Sequence, residues 1–205
     1  MNRIEPDIRH DVPVLVFHKV DPRFEWGLTR VTPAQFRSVL QTLQDLKYQT
    51  ISVMDALNPE HPLPAKPIVI TFDDSYASVF EYAFPVLKEF NFTATVFVIT
   101  GFTGALNEWD VNLGGLKFRH LSWHQVDEMN RAGFEIGSHT VHHPDLTRIS
   151  KEKLQAEVAV SKKQLEDRLG EPVPLISFPF GRYNDDVIDA CLKSDYRHGC
   201  GFWIR

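Results

Sequence analysis

Residues 68–74 read Ile68-Val69-Ile70-Thr71-Phe72-Asp73-Asp74, a short apolar run that ends abruptly in two carboxylates. Such a run of β-branched and aromatic residues without polar alternation predicts a strand covered on both faces, the pattern of a parallel sheet. On either side of it, apolar runs at 12–17, 94–100 (ATVFVIT), 134–137 and 175–178 predict further strands. The stretches between them carry helical spacing. Thr32 is an N-cap candidate with Pro33 at the first helical position, and Phe36, Leu40, Leu43 and Leu46 recur at three- and four-residue intervals, so 32–48 is predicted as a helix. Helices are predicted likewise over 75–90, 122–132, 150–169 (closed by Gly170) and 184–193. This alternation implies a mostly parallel sheet with helices outside, and such sheets place their chemistry at the C-terminal ends of the strands. Two stretches stand outside the pattern: 58–66, rich in proline, and 101–120, rich in glycine and aromatics. The second is long for a connection and is expected to be functional or disordered.

Composition narrows the function classes. The chain has 205 residues, 43% apolar and 24% charged, which excludes global disorder and fits one domain over 1–205 built on an α/β barrel plan. Lys and Arg number 22 against 27 Asp and Glu, a net charge of −5, so no broad basic face is available and nucleic acid is not an expected partner. Two cysteines, Cys191 and Cys200, allow neither a disulfide scaffold nor a four-cysteine zinc site. No run approaches the ~18 apolar residues of a membrane span. The opening residues lack the apolar segment and cleavage site of a signal peptide, consistent with a cytoplasmic chain or with one whose export signal has been removed. Nine histidines are the compositional oddity.

Their spacing points to metal chemistry. Asp73 and Asp74 repel one another at the mouth of a parallel sheet, and a cation would reward keeping both ionised. The ordinary alternative is that one caps the following helix while the other is solvated. His139-Thr140-Val141-His142-His143-Pro144 follows the strand at 134–137 and offers histidines three and four residues apart, familiar ligand spacings. Pro144 disfavours a helical His143, so the segment is predicted as a tight loop with His142 pointing away; the alternative is a polar surface turn. Ser177-Phe178-Pro179-Phe180-Gly181 also ends a strand, and alone it would read as a Pro-Gly turn.

In order and context, ITFDD, HTVHHP and FPFG resemble the NodB-homology polysaccharide deacetylases, carbohydrate esterase family 4. The resemblance runs from about residue 12 to the C-terminus and includes the opening PVLVFHKV with His18. It implies a distorted (β/α) barrel and a metal-dependent hydrolase that removes N-acetyl groups from N-acetylglucosamine-type polysaccharide or oligosaccharide. It implies Asp73 as catalytic base, and Asp74, His139 and His143 as ligands of one divalent metal. An Asp and two His leave open positions on zinc, the chosen ion, although cobalt or nickel suits the same donors. The ion would acidify a bound water and polarise the acetamide carbonyl, with Asp73 taking the proton and the Phe180 N–H helping to hold the oxyanion. His18, Trp109 and Pro179 are expected on the substrate side. Trp26, Trp109, Trp123, Phe102 and Phe118 are candidates for stacking on sugars, with core packing as the ordinary alternative, and 107–112 (NEWDVN) is a candidate lid.

The sequence departs from the family in three places. Ser75 stands where the first motif usually has Gly, Ser177 stands where the third often has an Arg that orients the base, and no terminal motif supplies a histidine general acid, His198 being the only histidine there. Two other readings stay open. One is a small-molecule amide or imide hydrolase, an activity that the resemblance implies for related members of the superfamily. The other is a catalytically weakened carbohydrate-binding domain, for which Ser177 and the missing terminal histidine argue. The ending GCGFWIR reads as the entrance to another strand, so the barrel is expected to be incomplete at the C-terminus. Its edge should then be covered by the residues before 12, by a second chain in a homo-oligomer, or by further sequence of a longer protein.

Overall fold

In the computed structural model, which describes residues 12–25, 29–108 and 117–201, the run at 68–72 belongs to the strand on which the sheet is built. β5 (Pro67–Phe72) is at most 4% exposed at every position from Ile68 to Phe72. Val69 pairs in parallel with Val14 of β1 (Val14–Phe17) and with Ile51 of β4 (Gln49–Ile51), so these two strands border opposite edges of β5. β6 (Thr95–Val98) joins the same edge as β4 further along, through Thr71 and Phe72. The sheet then continues through β7 (Glu135–Ser138), β8 (Leu175–Ser177) and β9 (His198–Cys200) to seven parallel strands. Outside it, β2 (Lys19–Val20) and β3 (Arg30–Val31) pair with each other.

Among the described residues, β1 and β9 are each paired on one side only. Both nevertheless line one cavity of about 380 Å³, together with Val69 and Phe97 from the middle of the sheet. The sheet therefore curls into a distorted (β/α) barrel that stays open between its first and last strands. The predicted strand at the chain end is seen only as His198–Cys200; residues 202–205 lie outside the described ones. Among the described residues, no helix is long and apolar enough to cross a membrane.

The helices cover the outside. α1 (Pro33–Asp45) starts with a capping box between Thr32 and Gln35 and buries Phe36, Leu40 and Leu43. Phe36 meets Phe17 edge-on at 5.2 Å and Phe72 at 5.8 Å between ring centroids, which ties α1 to β1 and β5. α2 (Val53–Leu57), α4 (Trp123–Arg131), α5 (Lys151–Leu169) and α6 (Asp185–Lys193) each begin at a side-chain N-cap, and Gly170 closes α5 in the left-handed region at φ 73°.

Two expectations need correction. The helix predicted over 75–90 begins later: a left-handed turn follows β5, then a π-helical turn Val79–Ala83, then α3 (Phe84–Glu89). Pro85 has no N–H to give to the carbonyl four residues back, and the Phe84 N–H reaches Val79 instead, which widens the turn. The second correction adds strands of two or three residues at 19–20, 30–31 and 49–51, which are too short to show any periodicity.

Gly137 in β7 faces the buried ring of Phe97, and a Cβ there would stand 2.6 Å from two ring carbons. Gly137→Ala should therefore lower stability by about 1–3 kcal/mol through overpacking, read as a lower urea midpoint. An unchanged midpoint would show that Phe97 has room to move.

Candidate active site

The mouth of the barrel is shaped by an abrupt change of backbone after β5. The Asp73 N–H still continues the pairing with β1 by donating to Phe17 at 2.9 Å. Asp74 (φ 65°) and Ser75 (φ 48°) then both enter the left-handed region, which swings the Asp74 carboxylate inward until the residue is only 6% exposed. Neighbouring segments lock this turn. His120 Nδ1–H donates to the Asp74 carbonyl at 2.7 Å, and the Leu121 N–H to the Ser75 carbonyl at 2.7 Å. The Ser75 hydroxyl accepts the Ile99 N–H at 3.2 Å, so the residue that replaces the expected Gly caps the end of β6. His120 is fully buried, stacked on Tyr76 and Phe102 at 5.0 and 5.6 Å. The sequence alone does not mark it, because no spacing rule singles out a histidine two residues before the N-cap Ser122. Neither carboxylate caps the following helical segment, which begins without a side-chain cap.

The histidine loop is pinned against β6. His139 N–H donates to Val98 at 2.8 Å, while Thr100 and Gly101 donate to the carbonyls of Thr140 and Val141 at 3.1 and 2.9 Å. Only glycine permits that approach at 101, where a Cβ would lie 2.5 Å from the Val141 oxygen. Thr140 (φ 69°) and His143 (φ 58°) are both left-handed, so the segment is a tight loop and not a helix, as Pro144 predicts. The His142 side chain is 63% exposed and turned away, bonded through Nδ1 to Glu157 at 2.7 Å.

These two turns bring Asp74, His139 and His143 together. Asp74 Oδ1 lies 3.4 Å from Nε2 of each histidine, and one ligand atom from each of the three falls within 4.8 Å of the others. His139 donates Nδ1–H to the Ser177 carbonyl at 2.8 Å, which fixes the orientation of the ring and points Nε2 at Asp74. Burial alone would push the Asp74 carboxyl up, but the hydrogen bond and charge of His139, with His143 and His18, hold it below the usual carboxylate range. Burial likewise works against a charged His139, yet the two carboxylates hold its pKa above the usual value. His143 goes the other way: burial, then the charge on His139, push it down to about 3, so it stands as a neutral imidazole. A carboxylate, a neutral imidazole and a second imidazole whose proton a cation would displace form a donor set that fits a divalent metal ion.

Asp73 sits beside this cluster and opens on the apolar cavity. Burial raises its pKa, with His139 and His18 partly offsetting the effect. Ser177 Oγ lies 3.5 Å from Asp73 Oδ2, at the limit of a hydrogen bond, in the position where the resembled family often has Arg. Pro179 is buried in the turn Pro179–Gly181, and within that turn Phe180 is left-handed (φ 58°) and 57% exposed, its ring 4.8 Å from that of His143. His18 follows β1 at the same mouth, close enough for its charge to act on Asp73, Asp74 and His143. Of the aromatics considered for sugar stacking, Phe118 is 1% exposed and Trp123 packs against the core, because Phe118 pairs with Asn107 at the base of the loop and Trp123 opens α4. Phe102 is half-buried against His120. Trp26, Trp109 and most of the candidate lid at 107–112 lie outside the described residues.

Residues 60–199 match the family described as polysaccharide deacetylase. A poly-beta-1,6-N-acetyl-D-glucosamine N-deacetylase of Staphylococcus epidermidis is 32% identical over 182 residues, covering 82% of this chain and 60% of that protein. YxkH of Bacillus subtilis is 31% identical over 191 residues, covering 92% of this chain and 63% of its own length. The chain thus spans about three fifths of the length of these curated relatives. Among solved structures, the deacetylase PplD of Streptococcus pyogenes, in complex with acetate, superposes with a TM-score of 0.78 at 30% identity, over 91% of this chain and 81% of that one. The fold, the three strand-end motifs and the match over 60–199 lead to one conclusion: this chain belongs to the polysaccharide deacetylase family.

Proposed function

We propose that the chain is a metal-dependent de-N-acetylase acting on N-acetylglucosamine-type polysaccharide or oligosaccharide, with zinc as its ion. The observation that carries this reading is the buried Asp74, His139 and His143 set beside a second, part-desolvated carboxylate, Asp73. The poly-beta-1,6-N-acetyl-D-glucosamine named for the Staphylococcus epidermidis relative supports the substrate class. Asp74, His139 and His143 would hold the ion, which when bound supplies water acidification and carbonyl polarisation.

The remaining roles belong to the chain itself. Asp73 takes the proton of the attacking water, and its raised pKa suits it to hold that proton. The same proton is then available to the leaving sugar nitrogen, yielding acetate and a free amine. His198 is poorly placed to serve there, since it pairs with Leu175 at the start of β8, the end of the sheet away from the mouth. Phe180, left-handed at the end of β8, is assigned the role of oxyanion donor through its N–H. His18, Pro179 and Trp109 are assigned to the substrate side.

Two sets of variants test this. His139→Ala and His143→Ala should each lose most of the bound metal by elemental analysis, and undiminished metal in both would remove the ligand assignment. Asp73→Asn should keep its metal yet release acetate from acetylated oligosaccharides about 10²–10⁴-fold more slowly. Near wild-type release by Asp73→Asn, with loss in Asp74→Asn, would reverse the two carboxylates. Turnover of cyclic imides in place of oligosaccharides by the wild-type chain would move the activity to small molecules.

A further inference from the structure

We infer that Glu157 is the positioning residue that sets the spacing of His139 and His143, and through it the affinity of the site for a divalent cation. The inference rests on the metal reading above.

Glu157 lies on α5, outside the loop that carries the histidines, yet its carboxylate is spent on that loop. Its Oε2 accepts the N–H groups of Val141 and His142 at 2.9 and 2.8 Å, and its Oε1 bonds His142 Nδ1 at 2.7 Å. The side chain is 13% exposed, so these charge-assisted bonds are little diluted by water. The loop needs such an anchor. Thr140 and His143 flank the two donors and are both left-handed, a conformation that residues other than glycine keep only where the surroundings over-determine it.

Between those two strained positions, the adjacent N–H groups of Val141 and His142 converge on one carboxylate. The loop is thus clamped from both sides. On one side Thr100 and Gly101 bond the Thr140 and Val141 carbonyls; on the other stands Glu157. The clamp is rigid, because Leu154 and Val158 bury α5 in the core on either side of Glu157. One turn further along the helix, Ser161 Oγ accepts from Ser138 Oγ at 2.9 Å, and Ser138 in turn accepts the Thr140 N–H at 3.2 Å. The outward-facing His142 gains a purpose as well: it supplies the third bond to the clamp.

The test compares zinc affinity, by competition with a chromophoric chelator, with the denaturant midpoint of the metal-free chain. Glu157→Ala should weaken zinc binding about 10–100-fold, the usual effect of removing a group that orients metal ligands. Glu157→Asp keeps the charge but is one methylene too short, so it should weaken binding as well. Glu157→Gln keeps an oxygen that can accept both N–H groups and should restore most of the affinity. Wild-type zinc affinity in Glu157→Ala and Glu157→Asp, with only the midpoint lowered, would reduce Glu157 to a fold-stabilising role and overturn the inference. Should Glu157→Ala fail to fold, the order of the other two decides: Gln tighter than Asp supports the inference, and Asp equal or tighter overturns it. A wild-type chain that takes up no zinc overturns the metal reading and this inference together, a result distinct from variants that match a zinc-binding wild type.

Discussion

A carboxylate with almost no access to water must be compensated, and at the barrel mouth that requirement falls on Asp74. Its partners are two imidazoles, each 3.4 Å from one of its oxygens. A buried charge of this kind is expensive unless it is paired. Proximity to both carboxylates makes His139 the better proton acceptor of the pair, while the charge on His139 and burial drive His143 neutral. The result is a polarised cluster of closely spaced donors, a setting that suits a divalent ion better than a proton.

A half-buried carboxylate at the other end of the sheet shows how a structural role differs. Glu135 accepts the N–H groups of Val53 and Met54 at the start of α2, at 3.0 and 3.2 Å, and the Thr95 hydroxyl at 2.7 Å. Burial still pushes its pKa up, but its oxygens are satisfied by fixed donors, so Glu135 caps α2 and pins it across the sheet. Among the described residues, no such set of backbone donors meets the Asp74 carboxylate. Its charge is left to groups that can exchange a proton for a cation.

Backbone strain is distributed in the same sense. Among the described residues, the left-handed residues other than glycine fall into two groups. Lys47, Asn91 and Asp195 follow the ends of α1, α3 and α6, where a left-handed residue is an ordinary way to stop a helix. Asp74, Ser75, Thr140, His143 and Phe180 all lie at the ends of β5, β7 and β8. Each turns a side chain or an N–H back over the mouth when the chain would otherwise run on into the next helix. Such positions persist because neighbouring loops hold them, as His120 and Leu121 hold the first pair and Glu157 the second.

Much of this was legible in the residues. The run at 68–72 announced a buried parallel strand, Thr32 and Pro33 announced α1, and Pro144 announced that the histidine segment could not be a helix. These are short-range effects: side-chain alternation, cap chemistry and the φ and N–H restrictions of proline act within a few positions and need no partner elsewhere. The adjacent carboxylates and the clustered histidines were visible in the same way, as residue types at strand ends, but spacing alone left open whether Asp73, Asp74 or neither faced the imidazoles. Tertiary structure decided that. Asp74 turns inward because His120 and Leu121 bond its turn from the segment that leads into α4, and His139 is aimed by the Ser177 carbonyl at the end of β8. The use of Ser75, the burial of Phe118 and the placement of Glu157 against the histidine loop also belong to tertiary structure. Each depends on which strand ends the parallel register brings together, and contacts across such separations leave no periodic trace in the order of residues.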